Sequence, residues 1–113
     1  MEERILYWDR DRLFGFEKVD RKNVEGFIEA LRKNRELPIV YVGMIGRDYL
    51  LLPPDGGHHR ALSHYLENRP LRIGVLKQNE IMPGTSSICF SLIDSIRSTR
   101  EIFDIRRTEL SLK

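Results

Sequence analysis

The chain has 113 residues, a formal net charge of +2, 41% hydrophobic and 32% charged residues. That length suits one domain around one core and is too short for two. The composition excludes a disordered chain, and the mild positive balance admits anionic ligands without arguing by itself for nucleic acid. The single cysteine, Cys89, excludes an intramolecular disulfide and fits a reducing cytosol. Met1-Glu2-Glu3-Arg4 lacks an apolar signal core, and no apolar run approaches the ~20 residues that span a bilayer. The expectation is a soluble, cytoplasmic protein with no membrane partner.

In chain order, Arg4 to Asp9 reads as a short strand, with Ile5 and Tyr7 on one face and Leu6 and Trp8 on the other. A charged connection, Arg10 to Phe16, follows. Trp8, Phe14 and Phe16 read as core, or more sharply as an aromatic platform for bases. Asp20 is a good N-cap for a helix running to Asn34. Val19 and Val24 stand at staple positions, and Val24, Phe27, Ile28 and Leu31 form one buried face. Arg32, Lys33 and Arg35 suit the negative end of the helix dipole, or a nucleic-acid backbone. Asn34 can take a left-handed cap, and Pro38 excludes continuation.

Ile39 to Met44 and Tyr49 to Leu52 read as a hairpin around Gly46-Arg47-Asp48, apolar enough to be covered on both faces. After Pro53-Pro54-Asp55-Gly56-Gly57, a second helix runs from about His58 to Glu67. Ala61, Leu62, Tyr65 and Leu66 form its apolar face. Leu71 to Lys77 is a further strand, in which Gly74 signals a bulge or a close contact. Ile88, Leu92 and Ile96 recur at helical spacing, and Ile102-Phe103 extends that face. The tail from Asp104 to Lys113 has no clear period.

The strand–glycine turn–helix at residues 49–66 carries the chemistry. Adjacent glycines take positive φ and let a ligand reach the main chain. Main-chain N–H groups at the helix start suit a phosphate, and Arg60 adds a fork for two phosphate oxygens. The alternative is a sharp turn with a solvated arginine. His58, His59 and His64 are spaced by one, five and six residues, so no pair has the i, i+4 spacing of a helical zinc site. His58 and His59 read better as donors to phosphate.

Gly56-Gly57-His58-His59-Arg60 resembles the Gly-Gly-Cys-His-Arg signature of sulfiredoxins. It is also similar to the Gly-x-His-Arg of archaeal free-serine kinases and to the Gly-Glu-Arg-Arg box of ParB partition proteins. Leu37-Pro38-Ile39-Val40-Tyr41-Val42 and Leu71 to Leu76 match strands of the same unit, so the resemblance covers roughly residues 4–77. It implies one α+β domain of the ParB/sulfiredoxin-like type, a small mixed sheet packed with helices, spanning 1–113. Its glycine turn would hold nucleotide phosphates through Gly56, Gly57, His58, His59 and Arg60.

His58 stands where sulfiredoxins carry the catalytic cysteine, and imidazole cannot form a thiosulfinate, which argues against sulfinic-acid repair. Glu17, in Leu13-Phe14-Gly15-Phe16-Glu17-Lys18-Val19, resembles the catalytic base of the serine-kinase branch, although Phe16 replaces the histidine common before it. The candidate catalytic residues are Glu17 and His59, with Asp55 as a carboxylate for Mg²⁺. The implied function is phosphoryl transfer or phosphoester hydrolysis on ATP or ADP, or on CTP, with a small-molecule acceptor. The alternative is a ParB-like DNA-binding module or nuclease. The chain has no room for the partition protein's helix-turn-helix and dimerisation segments or for the serine kinase's second lobe; a homodimer is allowed.

Overall fold

The computed structural model describes residues 1–52, 57–81 and 102–108, and the main chain of 110–111. The expected helix over Ile88 to Ile96, with Cys89, lies outside the described residues, as do Asp55 and Gly56.

The architecture is α+β. A six-stranded mixed sheet has the order β1 (Glu2–Leu6), β6 (Leu71–Val75), β4 (Val40–Ile45), β5 (Asp48–Leu51), β2 (Leu13–Gly15), β7 (Phe103–Asp104). β1 runs antiparallel to β6, β6 parallel to β4, and β4 antiparallel to β5. β2 is parallel to β5 and antiparallel to β7. A second, two-stranded sheet pairs β3 (Val19–Asp20) with β8 (Leu110–Ser111). Helices α1 (Arg21–Arg32) and α2 (His58–Leu66) pack on each other, and a 3-10 turn at Ile105–Arg107 packs against α2.

Sequence signals and element ends agree closely in the first helix. Asp20 caps α1, its carboxylate accepting from the Lys22 N–H at 3.0 Å. Val19, Val24 and Leu31 are buried in the sense the staple and the helical spacing require. Each such side chain contributes about 1.5–3 kcal/mol through burial. Asn34 takes φ 58° just beyond the helix. The β4–β5 hairpin turns at Gly46, φ 60°, and Tyr49, Leu50, Leu51 and Leu52 are all buried, so both faces of β5 are covered. Leu6, Val40, Val42, Leu51, Leu62, Leu71 and Ile73 belong to one continuous core, with a small cluster of Leu52, Leu76 and Tyr41 apart from it.

Several expectations are corrected. The first strand begins at Glu2 and ends at Leu6, and the "charged connection" contains β2, held by pairing with β5 and β7. Leu66, expected on the apolar face of α2, is 48% exposed because the helix ends there and Asn68 turns left-handed, φ 53°. Phe103 belongs to a strand and does not extend a helix. Gly74 marks no bulge, since its pairing with Glu3 and Tyr41 is unbroken. It marks a close contact: a Cβ there would lie 2.6 Å from the Met1 sulfur and 3.0 Å from the Tyr41 ring.

Candidate phosphate site at the start of the second helix

Gly57 is the N-cap of α2, with φ 74° and no side-chain cap on the first turn. A Cβ here would stand 2.8 Å from Val40 Cγ1. Backbone conformation and space therefore both demand glycine. Beside it lies a cavity of about 340 Å³ lined by Phe27, Pro38, Gly57, His59 and Arg60. Arg60 is held in place: its Nη1 donates to the Pro38 and Ile39 carbonyls, both at 3.2 Å. The guanidinium is thus fixed at the cavity by the α1–β4 connection.

The two adjacent histidines do something the sequence did not reveal. His58 is 2% exposed. Its Nε2 accepts from the Phe16 N–H at 2.9 Å and the Glu17 N–H at 3.2 Å. His59 Nε2 accepts from the Asp20 N–H at 3.0 Å. Both rings use Nε2 as acceptor, which puts each proton on Nδ1. Together they fasten the start of α2 to residues 16–20, the segment that enters α1. The Phe16 ring meets His58 edge-on, with centroids 4.7 Å apart. Gly15 makes room for this: a Cβ there would lie 2.7 Å from His58 Cδ2 and 2.6 Å from Ile105 Cδ1.

Burial, reinforced by the neighbouring His59, pushes the His58 pKa down to about 4. Its imidazole is neutral and turned inward, so it does not meet a phosphate at the cavity as an exposed cation would. The His59 ring lines the cavity and keeps Nδ1–H as a donor. His64 is half-buried and donates through Nδ1 to the Arg60 carbonyl at 2.7 Å. Burial lowers its pKa as well.

Glu17 lies beside His58. Its side chain is 54% exposed, and Oε2 lies 3.8 Å from His58 Nδ1. That Nδ1 is buried and has no hydrogen-bond partner among the described residues. Leaving such a donor unsatisfied costs about 1–3 kcal/mol, and Glu17 is the carboxylate facing it. Gly57, His59 and Arg60 therefore meet at the cavity, while Glu17 stands beside His58 where the β2–α1 segment joins α2 and is not among the residues that line the cavity. Among the described residues, no three His, Cys, Asp or Glu side chains gather as metal ligands. Nor is any helix of the described residues long and apolar enough to cross a membrane.

Comparison with protein-family models, with curated proteins and with solved structures found no match for this chain.

Proposed function

We propose that the chain binds a nucleotide polyphosphate at the start of α2 and acts on it by phosphoryl transfer or phosphoester hydrolysis. The observation that carries this reading is the left-handed Gly57 opening α2 onto a cavity flanked by Arg60 and His59. Main-chain N–H groups and the helix dipole favour an anion there. Arg60, already fixed by two carbonyls, loses little freedom when it pairs with phosphate oxygens. The cavity volume of about 340 Å³ lies at the low end for small-molecule sites. It matches a phosphate chain better than a whole nucleotide. The Gly56-to-Arg60 resemblance to the ParB/sulfiredoxin-like turn supports the same ligand class.

In this reading Glu17 is the general base. Its carboxylate takes the proton of an attacking hydroxyl or water. The attacking oxygen bonds to phosphorus, and the bridging P–O bond breaks with its electrons leaving on the nucleotide. Mg²⁺ bound with the nucleotide would neutralise phosphate charge. His58 Nδ1–H, 3.8 Å from Glu17 Oε2, is a donor that orients the carboxylate after a small rotation. His59 donates to phosphate through Nδ1.

The test is single-turnover phosphoryl transfer or hydrolysis at saturating nucleotide with Mg²⁺. Glu17→Gln keeps the shape and removes the proton acceptor. Turnover is expected to fall by roughly 10²- to 10⁴-fold with nucleotide affinity nearly unchanged. Turnover within about threefold of wild type would remove Glu17 from the chemistry.

A further inference from the structure

A second concave region lies at the sheet edge, away from the residues that line the Gly57 cavity. Its volume is about 620 Å³, and its walls come from β2, β7, the 3-10 turn and the last turns of α2. Three arginines reach it: Arg12, Arg106 and Arg107. Arg106 is neutralised by Asp104, with Nη2 to Oδ2 at 2.7 Å and Nε to Oδ1 at 3.1 Å. Burial works against the Asp104 carboxylate, but the Arg106 bonds outweigh it and hold its pKa below the ordinary value. Arg106 is further anchored on the Trp8 carbonyl at 3.2 Å. The guanidinium groups of Arg12 and Arg107 make no ion pair or hydrogen bond among the described residues. Both side chains are exposed. Asp104, already bonded to Arg106, also feels the Arg107 charge, so among the described residues three arginines share one carboxylate and the mouth keeps a net positive charge.

Between them the wall is aromatic. Phe14, Tyr65 and Phe103 line the cleft, each half-buried. Tyr65 is braced by an edge-on contact with Trp8, centroids 5.4 Å apart. Flat apolar rings beside arginines in excess of the one carboxylate complement a ligand that is itself a flat ring joined to a negative charge. Purely anionic ligands leave the rings unused, and apolar ligands leave the arginines unused. A volume near 620 Å³ accommodates a base, a sugar and a phosphate together.

We propose that this cleft binds a nucleotide unit, the base against Phe14, Tyr65 and Phe103 and the phosphate on Arg12 and Arg107. It is a site separate from the cavity at Gly57, and it does not depend on the function proposed there. A nucleotide unit comes either free or within a single strand, and stacking on side chains requires an unpaired base in both cases.

The test is fluorescence anisotropy of the full chain with a labelled thymidine oligonucleotide of about 12 nucleotides, with thymidine monophosphate as unlabelled competitor. Wild type is expected to bind at low salt and to release the strand as salt rises. The Arg12→Ala/Arg107→Ala variant should bind on the order of tenfold more weakly, with a log–log salt slope smaller by about 1.4, near 0.7 for each lost phosphate contact. Phe14→Leu, which keeps the bulk and removes the flat ring, should weaken binding by about fivefold. Arg60→Ala should leave this binding unchanged. Competition by the monophosphate identifies a free nucleotide as sufficient, and its failure beside tight oligonucleotide binding identifies a strand. Either result supports the cleft.

In the wild-type chain, amide shifts centred on residues 12–14 and 103–107 would place the ligand in the cleft without any variant. Shifts centred on residues 57–60, no binding at low salt, or equal binding by the double-arginine variant would overturn the proposal. So would equal competition by inorganic polyphosphate together with indifference to Phe14→Leu. Loss of nucleotide binding at Gly57 in the Arg60→Ala chain with intact oligonucleotide binding, or the reverse, separates the two sites.

Discussion

The two ends of α2 solve opposite problems. At its start, polar groups are consumed by the fold: His58 and His59 accept main-chain N–H groups, and Arg60 donates to carbonyls. Near its end, Tyr65 faces a cleft where Arg12, Arg106 and Arg107 share the single carboxylate of Asp104 among the described residues. The first arrangement makes a rigid junction, where changes at His58 should register in stability while Arg60, held at the cavity, should register in nucleotide binding. The second leaves excess positive charge on the surface, and changes there should register in binding alone. A titratable or aromatic side chain is thus no guide to function until its partners are known.

The largest effect expected from this contrast is in acid. His58 in the folded chain titrates at about 4, against 6.5 when exposed. Protonation removes the acceptor that holds Phe16 and Glu17. Between these pH values the unfolded chain binds the extra proton, so stability is complete above pH 6.5 and is lost as pH falls towards 4. The gap is worth about 3 kcal/mol. Urea unfolding at a series of pH values reads it directly. His58→Gln, whose amide oxygen accepts in place of Nε2, should flatten the profile, and an unaltered slope in that variant would place the acid sensitivity elsewhere.

Next in size is Gly15→Ala. The added methyl meets His58 and Ile105 below van der Waals distance, at 2.7 and 2.6 Å. Overpacking of this kind costs about 1–3 kcal/mol. Denaturant midpoints should show it; a neutral result would mean that the His58 ring has room to move. Asp20→Ala, which removes the cap on Lys22 N–H, should cost about 1 kcal/mol in the same assay. Smallest of all, Arg12→Ala and Arg107→Ala should each change stability by no more than about 0.5 kcal/mol. A larger loss would show that these arginines support the fold.

What was legible in the sequence follows from how local each signal is. Asp20, Asn34, Gly46 and the Val24–Leu31 spacing act within one element, and the structure follows them, with Val24 and Leu31 buried, Phe27 and Ile28 half-buried and the helix ending at Arg32, two residues before Asn34. β2 was hidden because three residues including a glycine carry no period of their own, and pairing with β5 and β7 makes them a strand. The turn at Gly57 was visible as a glycine pair before a helix. The inward turn of His58 was not, since its partners are Phe16 and Glu17, some forty residues earlier in the chain. Gly15 between two phenylalanines was the available clue: a missing side chain among large ones marks where another ring must fit. The arginine cleft joins residue 12 to residues 106–107 and had no local signature.

The central claim is a phosphate site at the start of α2, and calorimetric titration of nucleotide into wild type, Arg60→Ala and Arg60→Lys tests it most directly. ATP, ADP, CTP and GTP with Mg²⁺ are the ligands, and each variant is first checked for a native unfolding transition. At least one nucleotide should bind wild type. Arg60→Ala should lose about 1.5–3 kcal/mol of that affinity, the range for hydrogen bonds to charged groups. Arg60→Lys should recover only part, because a point charge replaces a two-pronged donor. Equal affinity in all three folded chains would contradict the account and move the phosphate site away from Gly57 and Arg60.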